Sequence, residues 1–256
     1  MLKFSPILLA VLWAVVMYYV SAWRTKSEMD NKSTILNDPP LEKLTDQMAD
    51  TLDLQKIKVN IYEIEPINGL AIPDGRIFIT RGFMKKYYNG EITAPELASV
   101  IAHELGHVAL GHTKRRMIDF SSQNAIRVAL SMVLSRFFGG FGTLIANTLT
   151  KFLTARLSRK DEYEADAYAA ALLIKANIGI EPQISMFEKL EKISSEGNNS
   201  MAWMMSHPKT KDRIIAIKKL KNELYQIISE HSGKSFDEVW KDSDRDYWMT
   251  SKEAKE

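Results

Sequence analysis

The chain has 256 residues, 45% hydrophobic and 26% charged, a balance that suits one globular domain with short appendages. Its net charge of +2 gives no reason to expect a nucleic-acid surface. The absence of cysteine excludes disulfides, thiolate metal sites, a cysteine nucleophile and a lipid-modified N-terminal cysteine.

Lys3 precedes an apolar run from Ile7 to Val20, which ends at Ser21-Ala22-Trp23. Residues 1–23 read either as a signal peptide, with Val20-Ser21-Ala22 as the cleavage site, or as a retained membrane anchor. Both readings export the rest of the chain. Residues 24–40 read as a polar linker ending in Pro39-Pro40. A helix is expected from Leu41, since Leu41, Leu44, Met48 and Leu52 recur at helical spacing. Residues 57–65 alternate like a strand, and Gly69 to Thr80 reads as a hairpin turning at Pro73-Asp74-Gly75. A short helix over 82–88 stops at Asn89-Gly90.

The next helix opens with a capping box. Thr93 accepts from the backbone and Glu96 reaches back to it, while Pro95 falls in the first turn. This helix should run through His107 to about Thr113. Residues 118–157 read as an apolar helical hairpin broken at Gly139-Gly140-Phe141-Gly142. Arg127 and Arg136 weigh against a clean membrane span there, so the hairpin is expected to pack on the body. Further helices follow over about 160–176, after Pro182 and after Pro208.

The chemistry sits in His103-Glu104-Leu105-Gly106-His107. Helix positions i and i+4 lie about 40° apart, so His103 and His107 can offer two imidazole nitrogens to one tetrahedral zinc. Glu104 stands one step round, beside a zinc-bound water rather than on the metal. There it can take the water's proton and pass it to the leaving amine. The apolar stripe Leu97, Ile101, Leu105 and Val108 lies roughly 100–200° away from the histidines. The extended HExxHxxGxxH frame fails here, because Leu110 and Thr113 occupy its glycine and third histidine. His112 is out of register and reads as a surface residue or one that backs a ligand. The third ligand is therefore sought among carboxylates, which residues 158–167 supply on a helix.

HExxH, a downstream ExxAD helix and a later His-Pro segment together resemble the HtpX/BepA/LoiP/CAAX-prenyl-protease type of zinc metallopeptidase, over about residues 41–217. The resemblance includes Asn68-Gly69-Leu70-Ala71-Ile72-Pro73-Asp74-Gly75, similar to the family's substrate-side edge strand, and Ser206-His207-Pro208 with Arg213 following. It implies one zinc held by His103, His107 and Glu162, with Glu104 as base and Asp166 orienting a ligand histidine. It also implies that His207 and Arg213 lie near the cleft, with His207 bonding the oxyanion. Helix geometry agrees on Glu162, which shares a face with Ala165, Asp166, Ala169 and Leu173. Glu164 falls about 200° away with Lys160, as a surface pair. The implied fold is α+β, a mainly helical gluzincin-type domain with a small antiparallel sheet beside the HExxH helix. The implied partners are polypeptide substrates, misfolded or membrane proteins among them, met in periplasmic or inner-membrane-anchored quality control.

Within an appendage over 218–256, residues from about 220 to 256 closely resemble the C-terminal segment of the ClpP serine peptidases, with Asp246 at the triad aspartate. A triad also needs a serine and a histidine, and no matching segment precedes the tail. The tail is expected to be a helical appendage without serine-peptidase activity. Two other readings compete with the peptidase: a zinc-stabilised, membrane-tethered binding or chaperone module, and a ClpP-type peptidase or adaptor. Glu104 separates the first of these, since a purely structural site has no use for a base.

Overall fold

Prolines, hydroxyls and carboxylates open several of the helices. The computed structural model describes residues 5–116, 131, 134–136, 139, 141–195, 203, 207 and 210–243. The first helix, α1, spans Ser5–Asn31 and leads into β1 (Ser33–Ile35). Helix α2 (Pro39–Thr51) starts on Asp38, whose side chain accepts from Leu41 N at 3.1 Å. Pro39 and Pro40 occupy its first turn, where no intrahelical donor is lost. Strands β2 (Val59–Tyr62), β3 (Gly69–Ala71) and β4 (Ile77–Thr80) follow, then α3 (Arg81–Tyr88) and α4 (Ala94–Ala109). The rest is helical: α5 (Phe141–Lys175), α6 (Glu181–Ser195), α7 (Thr210–Ser232) and α8 (Phe236–Ser243).

Helix α4 lies at the centre. Helices α2, α5 and α6 pack on it, and β3 and β4 lie against it. Leu97 and Ile101 of α4 join Ile77, Ile79, Phe83, Leu173 and Ile217 in one core. Burying each such side chain contributes about 1.5–3 kcal/mol. The α+β class and the mainly helical content are as the sequence implied.

Three details differ from the sequence reading. The sheet is mixed, in the order β1-β2-β4-β3: β1 and β3 pair antiparallel with their neighbours, but β2 and β4 run parallel. The expected hairpin is present as β3–β4, and its second strand slots between β3 and β2, which fixes its direction. Alternation of side chains marks a strand but carries no sign of its partner's direction. Second, residues 24–31 of the expected linker continue α1, and 33–35 form an edge strand. That polar turn is tied to the sheet. Tyr62 OH donates to Glu28 at 2.9 Å, Arg76 pairs with Asp30 at 2.6 Å, and Met29 packs with Tyr62, Ile72 and Phe78. Third, α5 is one 35-residue helix, so the helix placed at about Lys160 begins at Phe141. Gly139 stands just before it with φ +55°. The other arm of the expected hairpin, 117–130, lies outside the described residues, as does Asp246. No helix among the described residues is long and apolar enough to cross a membrane.

Candidate metal centre

The capping box forms as read. Thr93 N–H donates to Glu96 Oε2 at 2.7 Å, and Glu96 N–H donates to Thr93 Oγ1 at 3.4 Å. Lys189 and Ser185 of α6 also bond the Glu96 carboxylate, at 2.7 and 2.5 Å. Burial works to raise the pKa of Glu96, but these bonds outweigh it and lower it. From this cap onward every residue from Glu96 to His107 is buried. The histidines therefore do not face away from a single apolar stripe. They face α5, which covers the second side of α4. Gly106 allows that approach: a Cβ there would lie 3.0 Å from Ala165 O and 3.1 Å from Ala165 Cα.

The approach of α5 brings Glu162 to the two histidines. His103 Nε2 and His107 Nε2 are 3.1 Å apart. Glu162 Oε2 is 3.4 Å from His103 Nε2, and Oε1 is 3.5 Å from His107 Nε2. His207 adds a fourth donor, with Nδ1 at 2.7 Å from Glu162 Oε2 and 3.3 Å from His103 Nε2. All four residues are buried. Tetrahedral zinc with bonds of about 2.0–2.1 Å sets its donors roughly 3.3–3.4 Å apart. The spacings of His103, His107 and Glu162 match that edge, and three imidazoles with one carboxylate suit zinc chemically.

The buried groups of the centre shift one another's protonation strongly. Burial opposes charge on His103, but hydrogen bonds to Asp166 and Glu162 outweigh it and raise its pKa to about 9. His107 is pushed far down, by burial first and then by the charge of His103. Burial likewise opposes charge on Glu162, yet His207 and His103 hold it far below the usual carboxylate range. Glu104 Oε1 is buried with no hydrogen-bond partner, although His207 Nε2 lies 3.3 Å away. An orphaned carboxylate oxygen beside converging metal donors is where a water with a second partner belongs.

Asp166 accepts two bonds from Arg213, both 2.7 Å, and its Oδ1 lies 2.9 Å from His103 Nδ1. Arg213 stacks over the Phe187 ring at 4.5 Å and reaches the carbonyl of His207 at 3.4 Å. It thus ties α7 to α5 and holds the His207 segment. Asn68 precedes the edge strand β3, and its N–H donates to Thr80 Oγ1 at 3.0 Å. A Cβ on neighbouring Gly69 would lie 3.4 Å from Glu104 Cγ, so this edge runs beside Glu104. All eight residues singled out in the sequence, His103, Glu104, His107, Glu162, Asp166, His207, Arg213 and Asn68, are thus placed in or beside one centre. Ser206 and Pro208 lie outside the described residues.

Sequence reasoning missed two neighbours and left a third, His112, undecided between the surface and a place behind the ligands. Trp203 stacks on His207 with ring centres 4.2 Å apart. Arg116 Nη2 donates to Glu162 Oε1 at 2.7 Å. His112 contacts His107 and Glu164. The Gly111-His112 pair was the available signal for the last, since a glycine past a helix end turns the chain back.

Residues 36–221 match the family model for peptidase family M48, and residues 207–256 match the model for Clp protease. The chain is 32% identical to Metalloprotease LoiP of Escherichia coli over 73% of each chain. It is 26% identical to Metalloprotease YcaL of the same organism, over 68% of this chain and 65% of that one. The tail is 75% identical over 40 residues to the ATP-dependent Clp protease proteolytic subunit of Bacteroides fragilis, which covers 16% of this chain and 19% of the subunit. Together with the His/Glu cluster, the match along 36–221 makes this chain a metalloendopeptidase belonging to peptidase family M48.

Proposed function

We infer that the chain is a zinc-dependent endopeptidase that works at a membrane outside the cytoplasm, on misfolded or membrane proteins. The observation that carries the chemistry is the convergence of His103, His107 and Glu162 beside the partnerless Glu104 oxygen. Zinc, when bound, supplies Lewis acidity and makes water a usable nucleophile near neutral pH. Glu104 takes the proton of the attacking water and delivers it to the leaving amine. Asp166 holds His103 by Nδ1, so that Nε2 presents its lone pair to the centre. The open side of β3, beside Asn68, pairs with an extended substrate and lays the scissile bond near Glu104.

Support for the membrane comes from α1, whose Leu12, Trp13, Tyr19 and Trp23 are exposed apolar side chains. The tail acts as a helical appendage. Its Tyr225 and Val239 are buried and Lys221 lies 3.8 Å from the Trp240 ring. Exchanging Asp246 for Ala is expected to leave cleavage unchanged.

Zinc content and casein cleavage of three proteins test the chemistry. Glu104→Gln should keep about one zinc per chain and lose nearly all turnover, because it removes the base and no ligand. Glu162→Ala should lose both. Wild-type turnover by Glu104→Gln would end this mechanism.

A second reading concerns His207. As an oxyanion donor, its removal should lower kcat by about 10²-fold with zinc retained. Its Nδ1, however, lies among the metal donors. A fourth protein donor closes a zinc site, whereas turnover needs an open position. On that reading His207→Ala raises kcat, so the sign of the change decides between the two.

A further inference from the structure

His112 is almost wholly buried, yet no step above uses it. It owes its place to the end of α4. Leu110 caps the helix, and Gly111 follows with φ +70°, a conformation that L side chains rarely adopt. The chain reverses there, and residues 112–116 start a new helical turn. The reversal folds His112 back under His107, five residues earlier, with their Nδ1 atoms 3.0 Å apart. On its other side His112 Nε2 lies 3.0 Å from Glu164 Oε2 and 3.9 Å from Asp161 Oδ1.

The hydrogen-bond directions along this row are set from one end. A carboxylate only accepts, so His112 Nε2 carries the proton and donates to Glu164. The Nδ1 of a neutral His112 is then an acceptor, and only an N–H can face it at 3.0 Å. His107 must therefore carry its proton on Nδ1. Its Nε2 is left with a lone pair, aimed at His103 Nε2 and Glu162 Oε1. The opposite polarity would put an N–H of His107 into the donor cluster, where no metal could use it. His103 reaches the same state through direct contact with Asp166. On its Nδ1 side His107 meets His112 where His103 meets a carboxylate, and His112 extends that reach to Glu164.

We propose that His112 and Glu164 form a positioning relay that fixes the tautomer and ring orientation of His107 for metal binding. The relay rests on the reading of His107 as a metal ligand. The three groups His112, Asp161 and Glu164 also satisfy the spacing of a cation site. Arg115 and Arg116 already pair with Asp161, and His112 is committed through both nitrogens, so a relay fits these contacts better than a second metal.

The test is zinc titration of the full chain against a competing chelator, together with the absorption spectrum of the cobalt(II)-loaded protein, which reports ligand geometry. His112→Phe keeps the bulk of the ring and removes both nitrogens. It should weaken zinc binding by about 10–100-fold and alter the cobalt spectrum. His112→Gln can accept at one amide atom and donate at the other, and should recover most of the affinity. Glu164→Ala should weaken binding several-fold. Lys160→Ala, which removes only the surface partner of Glu164 at 3.3 Å, should leave it unchanged. Melting curves in chelator show whether each variant folds, and His112→Gln with Glu164→Ala decide the matter if the phenylalanine does not. Wild-type affinity in His112→Phe or in Glu164→Ala overturns the relay. So does a wild-type protein with two zinc ions, one of them lost with His112. His107→Ala in the same titration separates the levels: if it binds zinc as wild type, the metal-site reading itself fails.

Discussion

Removing Asp166 should be one of the costliest single changes in the catalytic core. Asp166 and Arg213 are 2% and 0% exposed, and they share two bonds of 2.7 Å. Deleting one member of a buried ion pair leaves the other charge without water or partner, at a cost of about 3–5 kcal/mol. Arg213 retains some company, since Glu162 Oε2 lies 3.3 Å from Nη1 and the Phe187 ring lies beneath it. That places Asp166→Ala near the lower figure, about 3 kcal/mol, or a fall in Tm of roughly 6–12 °C for a chain of this size. Urea unfolding should be run in chelator, so that metal binding does not contribute to apparent stability. Replacing the pair by Asp166→Leu with Arg213→Met should recover much of the loss, because no charge is then stranded. A loss below about 1 kcal/mol for Asp166→Ala, the scale of an exposed pair, would refute the argument.

Gly106→Ala gains about 1 kcal/mol of helix propensity but drives a methyl into the α5 backbone at Ala165. A net loss of about 1–2 kcal/mol is expected in chelator melts, and an unchanged Tm would contradict the close helix contact. Glu96→Gln should be less stable than wild type near neutral pH. The folded pKa of Glu96 is lowered, so its contribution is present above the unfolded value of about 4.3 and is lost as pH falls through the folded value. Stability curves of the two proteins should converge in acid; a constant offset down to pH 2 would show that the carboxylate charge is not the cause.

How much was legible follows from the range of each signal. His103 and His107 share a helix, and four residues of spacing suffice to place them together. Glu162 and Asp166 repeat that spacing on α5, so each pair was readable within its own helix. What the spacing does not contain is the meeting of the two helices, which depends on Gly106 and Ala165 in contact. The Thr93–Glu96 cap and the Pro73-Asp74-Gly75 turn are local and appear as read. The parallel β2–β4 pairing and the polar end of α1 depend on distant partners, Ile77 for Val59 and Tyr62 for Glu28, and no local pattern announces them. Glu164 shows both sides: its surface pair with Lys160 is present at 3.3 Å, but its bond to His112 needed the reversal at Gly111.

The two family matches overlap at residues 207–221, and from Thr210 onward α7 runs through the overlap without a break. Arg213, Ile217, Lys221 and Tyr225 are all buried, and each stands four residues after the last. The stripe that begins with the partner of Asp166 therefore ends on Tyr225, past the M48 match and within the Clp protease match alone. Cutting the chain where the M48 match stops would sever a helix at mid-length and strip Lys221 of its Trp240 contact. A tail-free protein made that way would report on a damaged helix rather than on the tail. The informative cut lies beyond Ser243, where α8 ends and both the stripe and the Trp240 contact are kept.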